Sequence, residues 1–299
     1  MQRFDQLGWV LDLVDLEPLP SADGVNLALQ ADAHEVLRDL DIRYDLAIHL
    51  AAYVAGRVGI EGNPLGVASN MSLDAAFFSF AARTKPERCI YLSSSAVYPL
   101  ARQTDAWDGR ALREDEVDLA TGPLGLPDLT YGWAKLTGEY LARVLQEETG
   151  VRTAVYRPFS VFGPGKSTDY PMTAICERAI AQADPLAVWG PGTQLRDFVY
   201  VDDFLDCIFA TYERLDAFTP LNIASGVGTD FLTVAEMAAA AMGYRPEVVT
   251  RKEMPYGVYA RVGCPERMSG WFNPVVPLAD GLENLMQSLQ VAGTRDAAM

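Results

Sequence analysis

The 299-residue chain is 49% apolar, enough to fill the core of one large unit with a smaller lobe, and its 40 acidic against 24 basic residues give a formal charge of −16. That charge opposes binding to nucleic acid or an anionic membrane, so neither is an expected partner, and any anionic substrate needs locally placed arginines. No apolar run is long enough to span a bilayer and no secretory signal is visible; the scattered Cys89, Cys176, Cys207 and Cys264 read as free thiols of a reducing cytosol, so a cytoplasmic location is expected.

Residues 9–15 read as a strand ending in the carboxylate of Asp15, residues 33–40 as a short helix, and residues 46–50 as a buried strand with His49 packed near its end. Residues 69–83, apolar at helical spacing, make the next helix, and residues 89–93 a strand that delivers Ser94. A helix runs from Tyr131 to about Glu148, and residues 153–157 form another buried strand. This alternation predicts an α/β fold with a parallel sheet covered on both faces. Ligands then collect at the carboxyl ends of the strands, where Ala51, Ser94 and Pro158 fall. Beyond Gly165 the pattern loosens into a helix over 171–183, a strand and turn over 185–192, and a helix over 234–242 with Thr233 as its N-cap. Asp202 and Asp203 read as helix-positioning carboxylates. With only His34 and His49 in the chain, no histidine-based metal site or Ser/His/Asp triad is expected.

Chemistry is concentrated in Tyr131-Gly-Trp-Ala-Lys135. One helical turn sets the phenol and the ammonium on one face, where the positive charge favours the phenolate at neutral pH. A free tyrosine titrates at ~10, so proton transfer in water needs both that charge and a hydroxyl partner such as Ser94. The pair implies redox or proton chemistry at a carbon bearing a hydroxyl.

In chain order, His49-Leu-Ala-Ala52, Tyr91-Leu-Ser-Ser-Ser-Ala-Val-Tyr-Pro99, the Tyr131 motif, Tyr156-Arg-Pro-Phe-Ser-Val-Phe-Gly-Pro-Gly165, Leu195-Arg-Asp-Phe-Val-Tyr-Val-Asp-Asp203 and Leu221-Asn-Ile-Ala-Ser-Gly226 form a continuous set. It resembles the extended short-chain dehydrogenase/reductase family, in its nucleotide-sugar epimerase/dehydratase branch, over nearly the whole chain. The resemblance implies a Rossmann-like, doubly wound parallel sheet, NAD as cofactor and a nucleotide-sugar substrate. It also implies a homodimer built on two long helices per subunit, over residues 69–83 and 131–148. The dinucleotide-binding unit would comprise residues 1–165 and about 195–225, and the substrate lobe about 166–194 and 226–299.

Position by position, the resemblance makes Tyr131 the acid/base and Lys135 the residue that bridges the nicotinamide ribose hydroxyls. Ser94 is the active-site hydroxyl, with Ser95 beside it toward the substrate. Asp15 would bind the adenosine ribose, Asp32 the adenine, Ala51 and Ala52 would line the cofactor cleft, and Pro158 with Phe159 would border the nicotinamide. Arg196 and Arg261 match positions that clamp a diphosphate, a task that suits bidentate guanidinium groups. Asp15 favours NAD over NADP by repelling a 2′-phosphate.

One departure lies at the start. The family opens with a strand and a Gly-x-x-Gly-x-x-Gly turn that holds the pyrophosphate on a helix N-terminus. Here the opening strand resembles the family's second, and residues 4–8 resemble the tail of the preceding helix, so about 25 residues of a ~30-residue βαβ start have no counterpart. A start assigned too far downstream is the expected reason. A real loss would instead predict weak NAD binding, poor stability, or repair by altered pairing or another subunit.

Further departures narrow the reaction. Ser95 and Ala96 stand where the dehydratases carry an Asp-Glu pair, and Ala96 also stands where 3,5-epimerising members carry a cysteine. Ala-Val-Tyr98 is the pattern of 4-epimerases and some 4-ketoreductases. NAD-dependent epimerisation at C4 of a nucleotide-diphospho-hexose is therefore expected. The alternatives are an NAD(P)H-dependent 4-ketoreductase and a catalytically idle homologue serving as a subunit or scaffold.

Overall fold

Parallel strands joined by helices dominate the computed structural model, which describes residues 8–19, 24–120, 122, 124–165, 167, 169–215 and 218–296. The helix tail read at residues 4–8 lies, apart from Gly8, outside the described residues. The first half of the chain runs β1 (Leu11–Asp15), β2 (Val25–Gln30), α1 (Ala33–Asp39), β3 (Leu46–His49), α2 (Arg57–Gly62), α3 (Pro64–Thr84), β4 (Arg88–Leu92), α4 (Leu129–Thr149), β5 (Arg152–Pro158) and β6 (Ser160–Phe162). The second half runs α5 (Pro171–Ile180), β7 (Leu186–Trp189), β8 (Leu195–Tyr200), α6 (Val201–Thr211), β9 (Leu221–Ile223), β10 (Gly228–Asp230), α7 (Phe231–Ala241), β11 (Val248–Arg251), β12 (Ala260–Arg261), α8 (Glu266–Ser269) and α9 (Leu278–Asp296).

The main sheet has the order β3-β4-β5-β9, all parallel. Because side chains alternate across a strand, β4 sends Cys89 and Tyr91 to one face and Ile90 to the other. The first pair packs with Phe77 and Phe78 of α3 and Ala142 and Leu145 of α4. Ile90 packs with Cys207 and Ile208 of α6 and Met268 of α8. Burial on both faces explains the unbroken apolar runs in β4 and β5.

β1 and β2 pair with each other in parallel, as a separate two-stranded sheet. Side-chain bonds tie this ribbon and α1 to the rest. Tyr44 Oη donates to Asp12 at 2.7 Å, His34 Nε2 meets Ser72 Oγ at 2.8 Å, and Arg83 donates to the Leu37 and Leu40 carbonyls. Among the described residues no strand pairs with the edge of β3 that faces away from β4. Among the described residues the β1–β2 ribbon and the main sheet are thus separate.

The smaller sheet sets β8 against β6 and β12 in parallel and β10 antiparallel; β7 pairs with β11. Its core joins Phe162, Ile175, Leu186, Phe198, Phe231, Val234 and Leu285. The sequence reading placed residues 195–225 with the main sheet. The pairing puts β8 in the smaller sheet, while α6 and β9 pack on the main one.

Two helix starts differ from expectation. α3 begins at Pro64 because proline suits the first helical position and Asn63 caps the Gly66 amide at 3.0 Å. α7 is capped by Asp230, which accepts from the Thr233 amide at 2.7 Å, so Thr233 lies inside the helix and not at its cap. No described helix is long and apolar enough to cross a membrane.

Candidate active site

β4 ends at Leu92, and the chain turns sharply through Ser93, Ser94 and a short 3-10 turn over Ser95–Val97. Ser94 caps that turn, its Oγ accepting from the Ala96 amide at 3.1 Å, and the same hydroxyl acts on the phenol of Tyr131 in the first turn of α4, lowering its pKa. Ser95 is buried within the turn. Pro158 ends β5 opposite Ile223, and Phe159 beyond it packs against Tyr98 with ring centroids 6.0 Å apart. Ser94, Tyr131, Lys135 and Pro158 therefore gather at the carboxyl ends of β4 and β5.

Lys135 is buried and donates one of its three N–H groups to the Leu92 carbonyl at 2.9 Å. Its ammonium lies 5.1 Å from the Tyr91 ring centroid and 6.0 Å from that of Tyr131. Burial lowers the Lys135 pKa, against the pull of Asp74 and Glu139. The Tyr131 phenol moves the opposite way from the sequence expectation. Burial, then Tyr170, push it up to about 12, and the neighbouring Ser94 hydroxyl and Arg261 only partly offset them. The Lys135 ammonium, 6.0 Å from the ring centroid, does not outweigh burial, which favours the neutral phenol.

Beneath the pair lies a buried polar layer that the sequence reading missed. Asp74 of α3 accepts from Tyr91 Oη at 2.7 Å and meets His49 Nε2 at 2.9 Å, which fixes His49 as a packed strand-end residue. Arg157 and Glu139 form a fully buried bidentate pair at 2.8 and 2.7 Å. Ser93 Oγ donates to the same carboxylate, and Arg157 also reaches the Glu114 carbonyl and Tyr98 Oη. Asn70 clamps the loop after β3, accepting from the Tyr53 amide at 2.6 Å and donating to the Tyr53 carbonyl at 3.0 Å. That loop carries Ala51 and Ala52, both half-buried.

At the other end, Asp15 terminates β1, exposed, and accepts from the Glu17 amide at 3.1 Å. Asp32 is already engaged as the N-cap of α1, taking the His34 amide and ring nitrogen, each at 2.8 Å. Its pKa is lowered, first by that backbone hydrogen bond.

Arg196 and Arg261 stand opposite each other in the β8–β12 register. Neither is a surface arginine. Arg261 donates to Gln103 at 2.6 Å and to Asp128 at 2.8 Å, and Arg57 of α2 donates to the other oxygen of Asp128 at 2.8 Å. Arg196 donates to the carbonyls of Leu195, Tyr259 and Tyr256. Burial, with repulsion from Arg261 and Arg57, pushes its pKa down to about 9. Asp203 does not cap α6; it accepts from the Val275 and Val276 amides at 3.0 and 2.9 Å and so pins the segment before α9.

The family model for the NAD dependent epimerase/dehydratase family matches residues 15–224. The chain belongs to this family. A GDP-L-fucose synthase of Sinorhizobium fredii is 25% identical over 252 residues, 81% of this chain and 77% of its own length. Two solved structures share the fold. MoeE5 in complex with UDP-glucuronic acid and NAD superposes with a TM-score of 0.81 at 24% identity, covering 97% of this chain and 94% of that one. A UDP-glucuronic acid 4-epimerase from Bacillus cereus, with UDP-glucuronic acid and NAD, gives 0.74 at 23% identity over 89% and 82%.

Membership makes the chain an enzyme of the NAD-dependent nucleotide-sugar epimerase, dehydratase and reductase group, with NAD as its cofactor. The residues present fit the nicotinamide end, since Lys135 keeps two N–H groups beyond the Leu92 bond for ribose hydroxyls. Among the described residues no glycine turn precedes β1 for the pyrophosphate. The spacing Gly56-x-x-Gly59-x-x-Gly62 occurs after β3, on α2, where a Cβ at Gly56 would strike the Asp169 carbonyl. That glycine serves packing and does not cradle phosphate.

Proposed function

We propose that this enzyme epimerises a nucleotide-diphospho-hexose at C4 through a transient 4-keto sugar. The observation that carries the reading is the gathering of Ser94 and Tyr131 at the carboxyl end of β4, with Lys135 one turn along α4 and the Arg196–Arg261 pair in register on β8 and β12. Bound NAD supplies the hydride acceptor, held by Lys135, Ala51, Ala52 and Pro158 at the nicotinamide end and by Asp15 and Asp32 at the adenosine end. Tyr131, ionised, would take the C4 hydroxyl proton and return it to the C4 oxygen after the 4-keto sugar has turned over, the inversion coming from return of hydride to the opposite face of C4, with Ser94 beside the phenol. Ser95 lines the sugar side, and the two arginines hold the diphosphate. Neither Ser95 nor Ala96 offers the second acid/base pair that a 4,6-dehydration needs.

A second reading, a 4-ketoreductase, is favoured by the protonated state of Tyr131, which suits proton donation to a 4-keto sugar. We further propose a homodimer through α3 and α4, whose outer faces expose Leu65, Trp133 and Tyr140, in the cytoplasm, where the four buried cysteines stay reduced.

The test is turnover of UDP- and GDP-hexoses by the wild type and Tyr131→Phe. An epimerase interconverts C4 epimers without net consumption of cofactor, whereas a ketoreductase consumes one NAD(P)H per product. Tyr131→Phe is expected to bind NAD like the wild type and lose turnover by at least ~100-fold. Unchanged turnover refutes the mechanism, and an absence of NAD binding by calorimetry in the wild type replaces it with the scaffold reading.

A further inference from the structure

We propose that Asp128 is a built-in stand-in for the substrate's diphosphate: it holds Arg57 and Arg261 together, and the incoming anion displaces its carboxylate from both. The inference rests on the nucleotide-sugar reading and adds to it a third cationic arm, Arg57, and an exchangeable counter-ion.

One carboxylate spans two guanidinium groups from different elements. Arg57 Nη1 of α2 bonds Oδ1 at 2.8 Å and Arg261 Nη2 of β12 bonds Oδ2 at 2.8 Å. Two oxygens shared between two arginine forks is the geometry a phosphate group also satisfies. Gly257 marks the place where the cluster converges: a Cβ there would lie 3.5 Å from Arg57 Nη1 and 3.6 Å from Arg196 Nη2. Among the described residues Arg196 bonds carbonyl oxygens and lies over the Phe231 ring, with no carboxylate bonded to it. Glu61 takes the Nε of Arg57 at 2.6 Å, so two carboxylates face three guanidinium groups and one positive charge stays uncompensated in a chain of net charge −16. This is the local exception to the global charge that an anionic substrate requires.

Asp128 also precedes the helix that carries Tyr131. It stands at the N-cap of α4 without making a side-chain cap bond, because its carboxylate is committed to the arginines, and its own amide is tied to the Ala96 carbonyl at 2.9 Å. The side chain is thus free to exchange partners while the backbone stays in place. Release leaves a carboxylate beside the helix's positive end, a favourable location for it. Asp128 is accordingly a positioning residue, coupling occupancy of the arginine cluster to the start of the Tyr131 helix.

Calorimetric titration with inorganic pyrophosphate, at fixed ionic strength, tests the idea on the wild type, Asp128→Asn and Arg57→Gln. Removing the internal competitor is expected to tighten pyrophosphate binding about tenfold in Asp128→Asn, and removing an arm to weaken it about tenfold in Arg57→Gln. A purely structural role predicts equal or weaker binding in folded Asp128→Asn, which would overturn the proposal. If Asp128→Asn does not fold, Arg57→Gln decides, and an unchanged affinity there overturns it, as does a wild type that binds no pyrophosphate. The affinity is read without cofactor or turnover. An inactive enzyme with these shifts sinks the epimerase reading alone, and an active epimerase without them sinks this one alone.

Discussion

Replacing Arg157 by methionine should be among the most damaging single changes in the main unit. Arg157 and Glu139 are both inaccessible to solvent, joined at 2.8 and 2.7 Å, with Ser93 the other donor on the carboxylate. Methionine nearly conserves volume, so packing alone costs less than ~1.5 kcal/mol. Stranding the Glu139 carboxylate is more damaging, because breaking one side of a buried pair costs about 3–5 kcal/mol. With an unfolding entropy of about 2.1 cal/mol/K per residue over 299 residues, that loss lowers Tm by ~5–8 °C. The double variant Arg157→Met/Glu139→Leu removes both charges and should return to within ~1 kcal/mol of the wild type or exceed it. Thermal and urea melts of the wild type, both single variants and the double variant give the coupling energy. A cost below ~1 kcal/mol for Arg157→Met, or strictly additive effects in the cycle, refutes the argument that charge burial dominates.

Gly138→Ala sets two effects against each other. Helix propensity would add ~1 kcal/mol, but a Cβ at Gly138 runs into Tyr91 Oη and the Asp74 carboxylate. Overpacking of ~1–3 kcal/mol plus disturbance of the Tyr91–Asp74 bond should win, and a net stabilisation in denaturant melts would contradict this. Asp128 titrates below the ordinary carboxylate value; burial would raise it, but Arg261 and Arg57 outweigh burial. Its contribution to stability is therefore present above the unfolded value of 3.8 and is lost as pH falls through the folded one. Asp128→Asn should flatten the acid limb of the stability profile below the ordinary carboxylate value of 3.8, and an unchanged limb would count against the Arg57–Asp128–Arg261 bridge. With the Tyr131 phenol pushed up to about 12, the wild type and Tyr131→Phe should show the same near-ultraviolet phenolate absorbance up to about pH 10. A phenolate signal lost in the variant near neutral pH would restore the sequence-based view of a Lys135-ionised tyrosine.

The motif residues at strand ends were legible because each sits where the hydrophobic period changes. Ser94 follows β4, Pro158 ends β5, and Tyr131 and Lys135 open α4. What sequence could not show is pairing across long separations. Arg157 and Glu139 lie 18 positions apart, His49 and Asp74 25, and Arg57 and Asp128 71. Glu139 reads locally as a solvated charge on an amphipathic helix; only the approach of β5 makes it a buried partner. For the same reason the Tyr131 expectation reversed. Helical spacing sets phenol and ammonium on one face, but burial, which spacing does not reveal, outweighs the ammonium in the phenol's titration. Asp128 did leave a signal: a carboxylate just before a helix start is expected to cap it, and here the arginines take it instead.

The division between the β1–β2 ribbon and the main sheet has a consequence for how the molecule comes apart. β4 is hydrogen-bonded on both sides and roofed on both faces, so its amides open only with the whole unit. The ribbon has a single ladder of its own and a Tyr44–Asp12 tie, whereas α1 beside it packs Leu37 and Leu40 on the main core and bonds Ser72 and Arg83 of α3. Solvent deuterium should reach it first, through an opening that leaves Tyr131 and its surroundings closed. Asp15, at the end of β1, and Asp32, between β2 and α1, are the carboxylates proposed for the adenosine, so on that proposal the adenosine is held at the less durable edge.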